Sequence, residues 1–227
     1  MKLLAIEAAT EACSAAVLVD GEIAEQYQVA PRQHNKLILP MCESVLAEMQ
    51  VSLQQLDAIA FGCGPGAFTG VRIAAGITQG IALAHDLPVA SVSTLANLAY
   101  QAPVNNEQYI LASIDARMNE IYWAIYQKTA TSVELMNQEQ VQPAASIEAL
   151  SQTMAYGCGT GWSSDRIALQ TLTQLDELCI DAQALPRARV TAQLGEQKYQ
   201  AQQLVAPEEA LPVYLRDQVV KKKVQNS

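Results

Sequence analysis

Short apolar runs alternate with longer, periodic apolar segments along most of the chain, and this alternation predicts an α/β protein. Apolar runs bounded by turn residues are typical of strands, and apolar positions three and four residues apart are typical of helices. The predicted strands cover residues 3–6, 14–19, 22–29, 56–61, 89–92, 109–114 and 120–126, with a further strand beginning at Met154. The predicted helices cover residues 36–50 (with Asn35 as N-cap), 71–83, 94–100, 163–175 and 187–202.

One arrangement of elements occurs twice in the chain. The strand at 3–6 ends at Glu7 and the strand at 109–114 ends at Asp115, and each is followed by a turn and a second strand. This repetition predicts an internal duplication. A turn-rich segment at residues 102–106 marks the predicted boundary between the two copies. We therefore expect one subdomain at 1–102, to which the tail at about 207–227 returns, and a second subdomain at 103–206.

A glycine-rich loop at residues 62–72 joins a predicted strand to a predicted helix. Such a loop directs free backbone N–H groups toward one point at the positive end of the helix dipole, which favours an anion. Val71 follows Gly70 where a P-loop has lysine, and Thr69 stands where the dinucleotide fingerprint has glycine. Arg72 lies in the first helical turn, which indicates a carboxylate or phosphate partner; the alternative is a sharp turn with Arg72 paired to an internal acid. The candidate anion or nucleotide loop consists of Glu7, Thr10, Gly64, Gly66, Thr69, Gly70 and Arg72.

Two predicted helices, 36–50 and 71–83, have more apolar surface than one sheet can cover. The second also has small residues four positions apart, which allow another helix to approach closely. These features predict an interface with a partner, and the alternative is that both faces pack internally. The predicted interface residues are Ile38, Met41, Cys42, Val45, Met49, Gly76, Gly80 and Ala84.

The charge and the cysteines narrow the possible functions. The net charge is −9, which argues against a primary reader of nucleic acid. The five cysteines are widely spaced without a C-x-x-C motif, so we expect a reducing compartment. The apolar run at 3–6 is broken at Glu7, and no apolar run is long enough to span a membrane. We therefore expect a soluble, cytoplasmic protein without contact with a membrane.

The sequence offers few groups for catalysis. The two histidines, His34 and His85, are far apart, and no motif of metal ligands is present, so neither a metal nor a cofactor is predicted. The lysines at 221–223 are interpreted as a solvated tail, with contact to RNA or an acidic partner as the alternative.

Residues 64–73 read Gly-Pro-Gly-Ala-Phe-Thr-Gly-Val-Arg-Ile and resemble the GPGSFTGVRI signature of the TsaB family, also called YeaZ. Residues 4–12, 115–122 and 212–216 extend the resemblance over nearly the whole chain. It implies a duplicated actin/Hsp70/sugar-kinase (ASKHA) fold with two subdomains, each containing a mixed sheet flanked by helices.

The resemblance also implies a function. TsaB-like proteins are non-catalytic partners of TsaD, the subunit that transfers threonylcarbamoyl to N6 of adenosine 37 in tRNA, and TsaE, an ATPase, joins them. The implied protein is a pseudoenzyme that pairs through its N-terminal helices, forms a homodimer when alone, and meets tRNA only in the complex. Thr94 and Leu98 stand where TsaD-like relatives have two metal-binding histidines, and Glu7-Ala8 replaces the usual Asp-Thr. The alternative is a stand-alone nucleotide-binding ATPase or kinase of the same superfamily; a peptidase would need a nucleophile–base or metal pair that the sequence lacks.

Overall fold

The computed structural model describes residues 1–216 and begins with a five-stranded mixed sheet. Its strands are β1 (Lys2–Glu7), β2 (Ala12–Val19), β3 (Glu22–Val29), β4 (Ala58–Gly64) and β5 (Val89–Ser93). They lie in the order β3-β2-β1-β4-β5. β1 is antiparallel to β2 and parallel to β4, so the carboxyl ends of β1 and β4 meet at one edge of the sheet.

The second half of the chain forms a second sheet with the same plan. Its strands are β6 (Tyr109–Asp115), β7 (Ile121–Lys128), β8 (Val133–Leu135), β9 (Gln140–Gln142), β10 (Met154–Cys158) and β11 (Ile180–Asp181). Five of them lie in the order β8-β7-β6-β10-β11, and β9 pairs with β7. β6 is antiparallel to β7 and parallel to β10, as β1 is to β2 and β4. The predicted duplication is therefore confirmed.

Six helices surround the sheets within the described part of the chain. They are α1 (His34–Glu48), α2 (Phe68–His85), α3 (Thr94–Tyr100), α4 (Gly161–Ser164), α5 (Arg166–Thr173) and α6 (Ala188–Gln200). Successive side chains of a strand point to opposite faces of its sheet. Accordingly Leu4 and Ile6 of β1 pack in the core shared with α1 and α2, whereas Leu3 and Ala5 pack in the core shared with α6. None of the helices at 1–216 is long and apolar enough to cross a bilayer.

The packing of α6 crosses the predicted division of the chain. This helix belongs to the segment 103–206, yet it packs against β1, β2 and β4 of the first sheet. A Cβ atom on Gly195 of α6 would lie 2.6 Å from the Ala60 Cβ atom, so the helix sits unusually close to the sheet. The first sheet therefore needs a helix from the far end of the chain to cover one face. Residues 207–216 also contact the first half, and the remainder of the predicted returning tail lies outside the described residues.

Two local predictions also differ from the structure, and three short strands were not predicted. The helix predicted at 163–175 is interrupted at Asp165, whose backbone is not helical, so that α4 and α5 are separate helices. Helix α1 has Gln33, rather than Asn35, at its N-cap. The strands β8, β9 and β11 were not predicted, since each is only two or three residues long and lacks an apolar run.

Candidate functional site

The glycine-rich loop packs directly against the turn that follows β1. The Ala67 N–H donates to the Ala9 carbonyl oxygen at 2.7 Å. A Cβ atom on Gly66 would lie 2.3 Å from that oxygen, and one on Gly70 would lie 2.0 Å from the Ala8 carbonyl oxygen. Such separations are impossible for a side chain, so both positions need glycine. The close approach that the glycines predicted is made by the chain's own backbone.

Gly64 and Thr69 have other surroundings in the same loop. Gly64 adopts a φ of +104°, which is accessible mainly to glycine, and precedes Pro65 through a cis peptide bond. Thr69 is exposed in the first turn of α2. Gly64 therefore shapes the turn, while Thr69 is free of contacts that would define a role for it within the described residues.

Glu7, the last residue of β1, is fully buried. Its carboxylate accepts hydrogen bonds from the Ala9 N–H at 2.9 Å and from the Thr191 hydroxyl at 3.4 Å. The carboxylate lies so close to Gly62 that a Cβ atom there would be 2.1 Å from Oε2. Burial raises the pKa of Glu7 to about 7, although the hydrogen bonds from the backbone and from Thr191 lower it. The Glu7 carboxylate is therefore enclosed by β4 and α6 and does not line the surface cleft.

Arg72 lies between two aromatic rings on the surface. Its guanidinium carbon is 3.1 Å from the centroid of the Phe68 ring and 4.7 Å from that of Tyr214. One guanidinium nitrogen donates to the Phe68 carbonyl oxygen at 3.0 Å. Among residues 1–216 no carboxylate forms an ion pair with Arg72, so two ring faces take the place of the internal acid that was the alternative interpretation.

A cleft of about 1050 Å³ separates the turn after β1 from the equivalent turn after β6. It brings together Thr10, Gly66 and Arg72 of the candidate loop; Glu7, Gly64, Thr69 and Gly70 do not line it. The cleft contains three arginines and three acids. Two of these arginines are paired, since Arg117 contacts Asp115 at 2.8 Å and Glu11 at 3.4 Å and Arg216 contacts Glu120. The charges that face the cleft are thus largely neutralised by one another.

The buried hydroxyl of Thr10 has no hydrogen-bond partner among the described residues. The Thr10 carbonyl oxygen, in contrast, lies 2.9 Å from Nε2 of His34, the first residue of α1. Thr94 and Leu98, which stand where TsaD-like relatives are expected to have metal-binding histidines, are buried in α3. Residues 1–216 contain no cluster of three His, Cys, Asp or Glu side chains that could hold a metal ion.

The predicted interface residues divide into two groups. Ile38, Cys42 and Val45 are buried in the core, where α1 lies on β2, so they cannot contact a partner. Their spacing of four and three residues places all three on the one face that the sheet covers. This part of the predicted interface lies in the core of the chain. Met41 and Met49 are half-buried at the edge of the same core.

The small residues of α2 lie on an open surface. Gly76, Gly80 and Ala84 are exposed, and a Cβ atom added to either glycine would meet nothing within 4 Å. Leu83 is 63% exposed beside them, and Ile77 is half-buried. Leu39 of α1 is 48% exposed and was not among the predicted interface residues, although it lies in the same apolar segment. Helix α2 therefore exposes two glycines and an apolar side chain, and α1 exposes an apolar side chain of its own.

Comparisons with known proteins place the chain in a family. A family model described as "TsaD: tRNA N6-adenosine threonylcarbamoyltransferase" matches residues 21–224. The chain is 37% identical to the tRNA threonylcarbamoyladenosine biosynthesis protein TsaB of Haemophilus influenzae, over 99% of this chain and 97% of the relative. It is 39% identical to the protein of that name from Escherichia coli, over 99% and 98% of the two chains.

A solved structure agrees with the sequence relatives. YeaZ from Pseudomonas aeruginosa superposes with a TM-score of 0.85 at 41% identity, over 94% of this chain and 99% of that one. At this similarity the two chains share the duplicated ASKHA-like fold, which confirms the predicted fold class. Full-length sequence relatives and a matching fold together show that the chain belongs to the TsaB (YeaZ) family.

Proposed function

We propose that this chain acts in the synthesis of threonylcarbamoyladenosine in tRNA, as a non-catalytic partner that binds a TsaD-like transferase and, with it, a TsaE-like ATPase. The pathway is supported by the two full-length relatives, both of which are named as tRNA threonylcarbamoyladenosine biosynthesis proteins. In this proposal the chain contacts tRNA only as part of the complex with the transferase. The acidic composition supports that point, because a net charge of −9 disfavours direct binding of a phosphate backbone.

The observation that carries the partner role is the open face of α2. Gly76 and Gly80 expose backbone to solvent with room for a second helix, and Leu83 exposes most of its side chain beside them. Glycine in the interior of an exposed helix costs about 1 kcal/mol relative to alanine. A close helix–helix contact would offset that cost, since small residues let two backbones approach. The same face could also pair with a second copy about a two-fold axis when the transferase is absent.

The glycine loop supports a non-catalytic role. The Ala8 and Ala9 carbonyl oxygens lie against Gly70 and Gly66, and acceptor oxygens of this kind repel a phosphate. Glu7 is enclosed and cannot reach a ligand in the cleft. These contacts weigh against the alternative of a stand-alone nucleotide-binding ATPase or kinase.

Reconstitution tests this proposal. Modification of adenosine 37 is followed in mixtures of a TsaD-like subunit, a TsaE-like ATPase, tRNA and a supply of threonylcarbamoyl adenylate, with and without this chain. We expect product only when the chain is present, and no turnover of ATP by the chain alone. Product formed equally well without the chain, or ATP hydrolysis by the chain alone, would overturn the proposal.

A further inference from the structure

Residues 210–216, here called the strap, follow α6, and the last four of them line the cleft. The Ala210 carbonyl oxygen accepts a hydrogen bond from the Gln79 side chain of α2 at 3.2 Å. The Val213 N–H donates to the Cys63 carbonyl oxygen at the end of β4, at 2.8 Å. Ala210 itself is fully buried. These contacts attach the beginning and the middle of the strap to the first half of the molecule.

The end of the strap contacts the second half. The Arg216 guanidinium forms an ion pair with Glu120, the last residue before β7, and lies 3.8 Å from the Met118 sulfur. The two charged side chains are partly exposed, at 21% and 31%. The strap therefore bridges the cleft, with buried and main-chain contacts on one side and a partly exposed ion pair on the other.

The turn that receives Arg216 has an unfavourable backbone conformation. Arg117, Met118 and Asn119 have φ values of 62°, 58° and 59°, so three consecutive non-glycine residues are left-handed. This conformation is disfavoured for L-amino acids and persists where surrounding contacts maintain it. Asp115 holds one side of the turn, because its carboxylate accepts from the Arg117 N–H at 2.7 Å. The ion pair from the strap holds the other side, at Glu120.

We propose that the strap is a latch between the two halves, and that the Arg216–Glu120 ion pair is its releasable end. While the pair is formed, it keeps the left-handed turn at 117–119 against the strap across the mouth of the cleft. When the pair breaks, the turn and the strap move independently. The pair opens first because partly exposed ion pairs are weak, whereas the other end of the strap is buried. This proposal does not depend on the proposed function.

Amide hydrogen exchange of the full chain tests the latch. The reporters are the N–H groups of Val213, bonded to Cys63, and of Ala116, which donates to the Glu120 carbonyl oxygen at 2.9 Å. In Arg216→Ala both should exchange roughly two- to five-fold faster, the range expected for loss of a partly exposed ion pair. The control is Arg166→Ala, which removes an ion pair to Glu177 of 2.7 Å elsewhere in the second half and should leave both reporters unchanged.

Swapping the two charged residues distinguishes an effect of the ion pair from an effect of side-chain packing. The double variant Arg216→Glu with Glu120→Arg should restore slow exchange at both reporters. Raising the salt concentration should speed exchange in the wild type and leave Arg216→Ala unaffected, because salt screens the ion pair. The latch is refuted by any of three results: unchanged exchange in Arg216→Ala, equal acceleration in Arg166→Ala, or persistently fast exchange in the double variant.

Discussion

At the scale of single residues, the two charged side chains assigned to one candidate site have opposite environments. Glu7 is fully buried under β4 and α6, whereas Arg72 lies on the surface between Phe68 and Tyr214. A buried carboxylate is neutralised by a proton when no cation is near, and an exposed guanidinium stays charged. The expected consequences are an effect of Glu7 on stability and an effect of Arg72 on binding.

Glu7→Gln should change how stability depends on pH. The pKa of Glu7 is raised from 4.5 to about 7 in the folded chain, so between these values the folded state binds more protons than the unfolded state. The free energy of unfolding therefore falls as pH rises through this window, by about 3 kcal/mol from this group alone. Urea denaturation at about pH 5 and about pH 8 should show a flatter dependence for Glu7→Gln and a more stable variant at the higher pH. Parallel curves for the two proteins would contradict the burial argument.

Arg72→Ala should leave the fold intact and weaken assembly. The stacking of an exposed arginine on aromatic rings contributes about 0.5–1 kcal/mol, so the thermal midpoint should change little. Threonylcarbamoylation should decrease mainly because less complex forms with the TsaD-like subunit, as measured by titration. Arg72→Lys is the control, since it keeps the charge and loses the planar stacking surface. Lost activity with an intact complex would argue for a catalytic role instead.

At the scale of elements, α2 contains glycines for two different reasons. Gly70 contacts the turn after β1, whereas Gly76 and Gly80 face solvent. The residue type is the same, and only the surroundings distinguish a glycine needed for the fold from one available to a partner.

Gly70→Ala and Gly76→Ala form a matched pair within this helix. The new Cβ atom at position 70 would lie 2.0 Å from the Ala8 carbonyl oxygen, so the loop or the turn must shift. We expect Gly70→Ala to lower the free energy of unfolding by about 2 kcal/mol or more, in the range of overpacked sites. The new Cβ atom of Gly76→Ala would point into open space, so this substitution should raise the free energy of unfolding by about 0.5–1 kcal/mol. Chemical denaturation measures both, and equal effects of the same sign would disprove the distinction.

Gly80→Glu should abolish pairing without unfolding the chain. The added side chain has room in the isolated molecule but would place a bulky charge in a close helix–helix contact. Light scattering after size exclusion should show loss of both the homodimer and the complex with the TsaD-like subunit. Ile167→Glu adds the same charge at an 84% exposed position of α5 and should leave pairing unchanged. Full pairing by Gly80→Glu would exclude this face as the interface.

At the scale of the whole molecule, the two halves have the same arrangement of strands, but they do not pack independently of each other. α6 comes from the far end of the chain and covers one face of the first sheet. Its first turn is tied to that sheet, because the Ala188 N–H donates to the Ser14 hydroxyl oxygen at 2.9 Å and neighbouring Arg187 pairs with Glu25 at 2.6 Å.

A fragment of residues 1–102 should therefore not fold stably alone. Without α6, the face of the first sheet formed by Leu3, Ala5, Leu18 and Ala60 would be exposed to water, at about 25 cal/mol per Å² of apolar surface. Circular dichroism and denaturation should show a poorly cooperative fragment, and addition of a peptide spanning 185–216 should increase its stability. A fragment with a cooperative transition and no response to the peptide would support the predicted boundary at 102.

The sequence by itself determined most of the longer elements and their repetition. Strands and helices leave a period in the positions of apolar residues, and the strand–acid–turn–strand order appears in both halves. The glycines of residues 62–72 also predicted that another group approaches the loop backbone closely, because few other reasons favour so many glycines in one loop. These features could be predicted since they depend on residues near one another in the chain.

Only the tertiary structure decided which groups meet. The approach to Gly66 and Gly70 is made by Ala9 and Ala8, Glu7 is enclosed by α6, and the Ile38 face of α1 is covered by a sheet. A local pattern shows that a face is apolar, but the element that covers it is set by contacts between distant segments. For this reason the local pattern predicted a ligand site and a wide interface. The fold contains a cleft in which Arg117 and Arg216 are paired with acids, and an open face on α2.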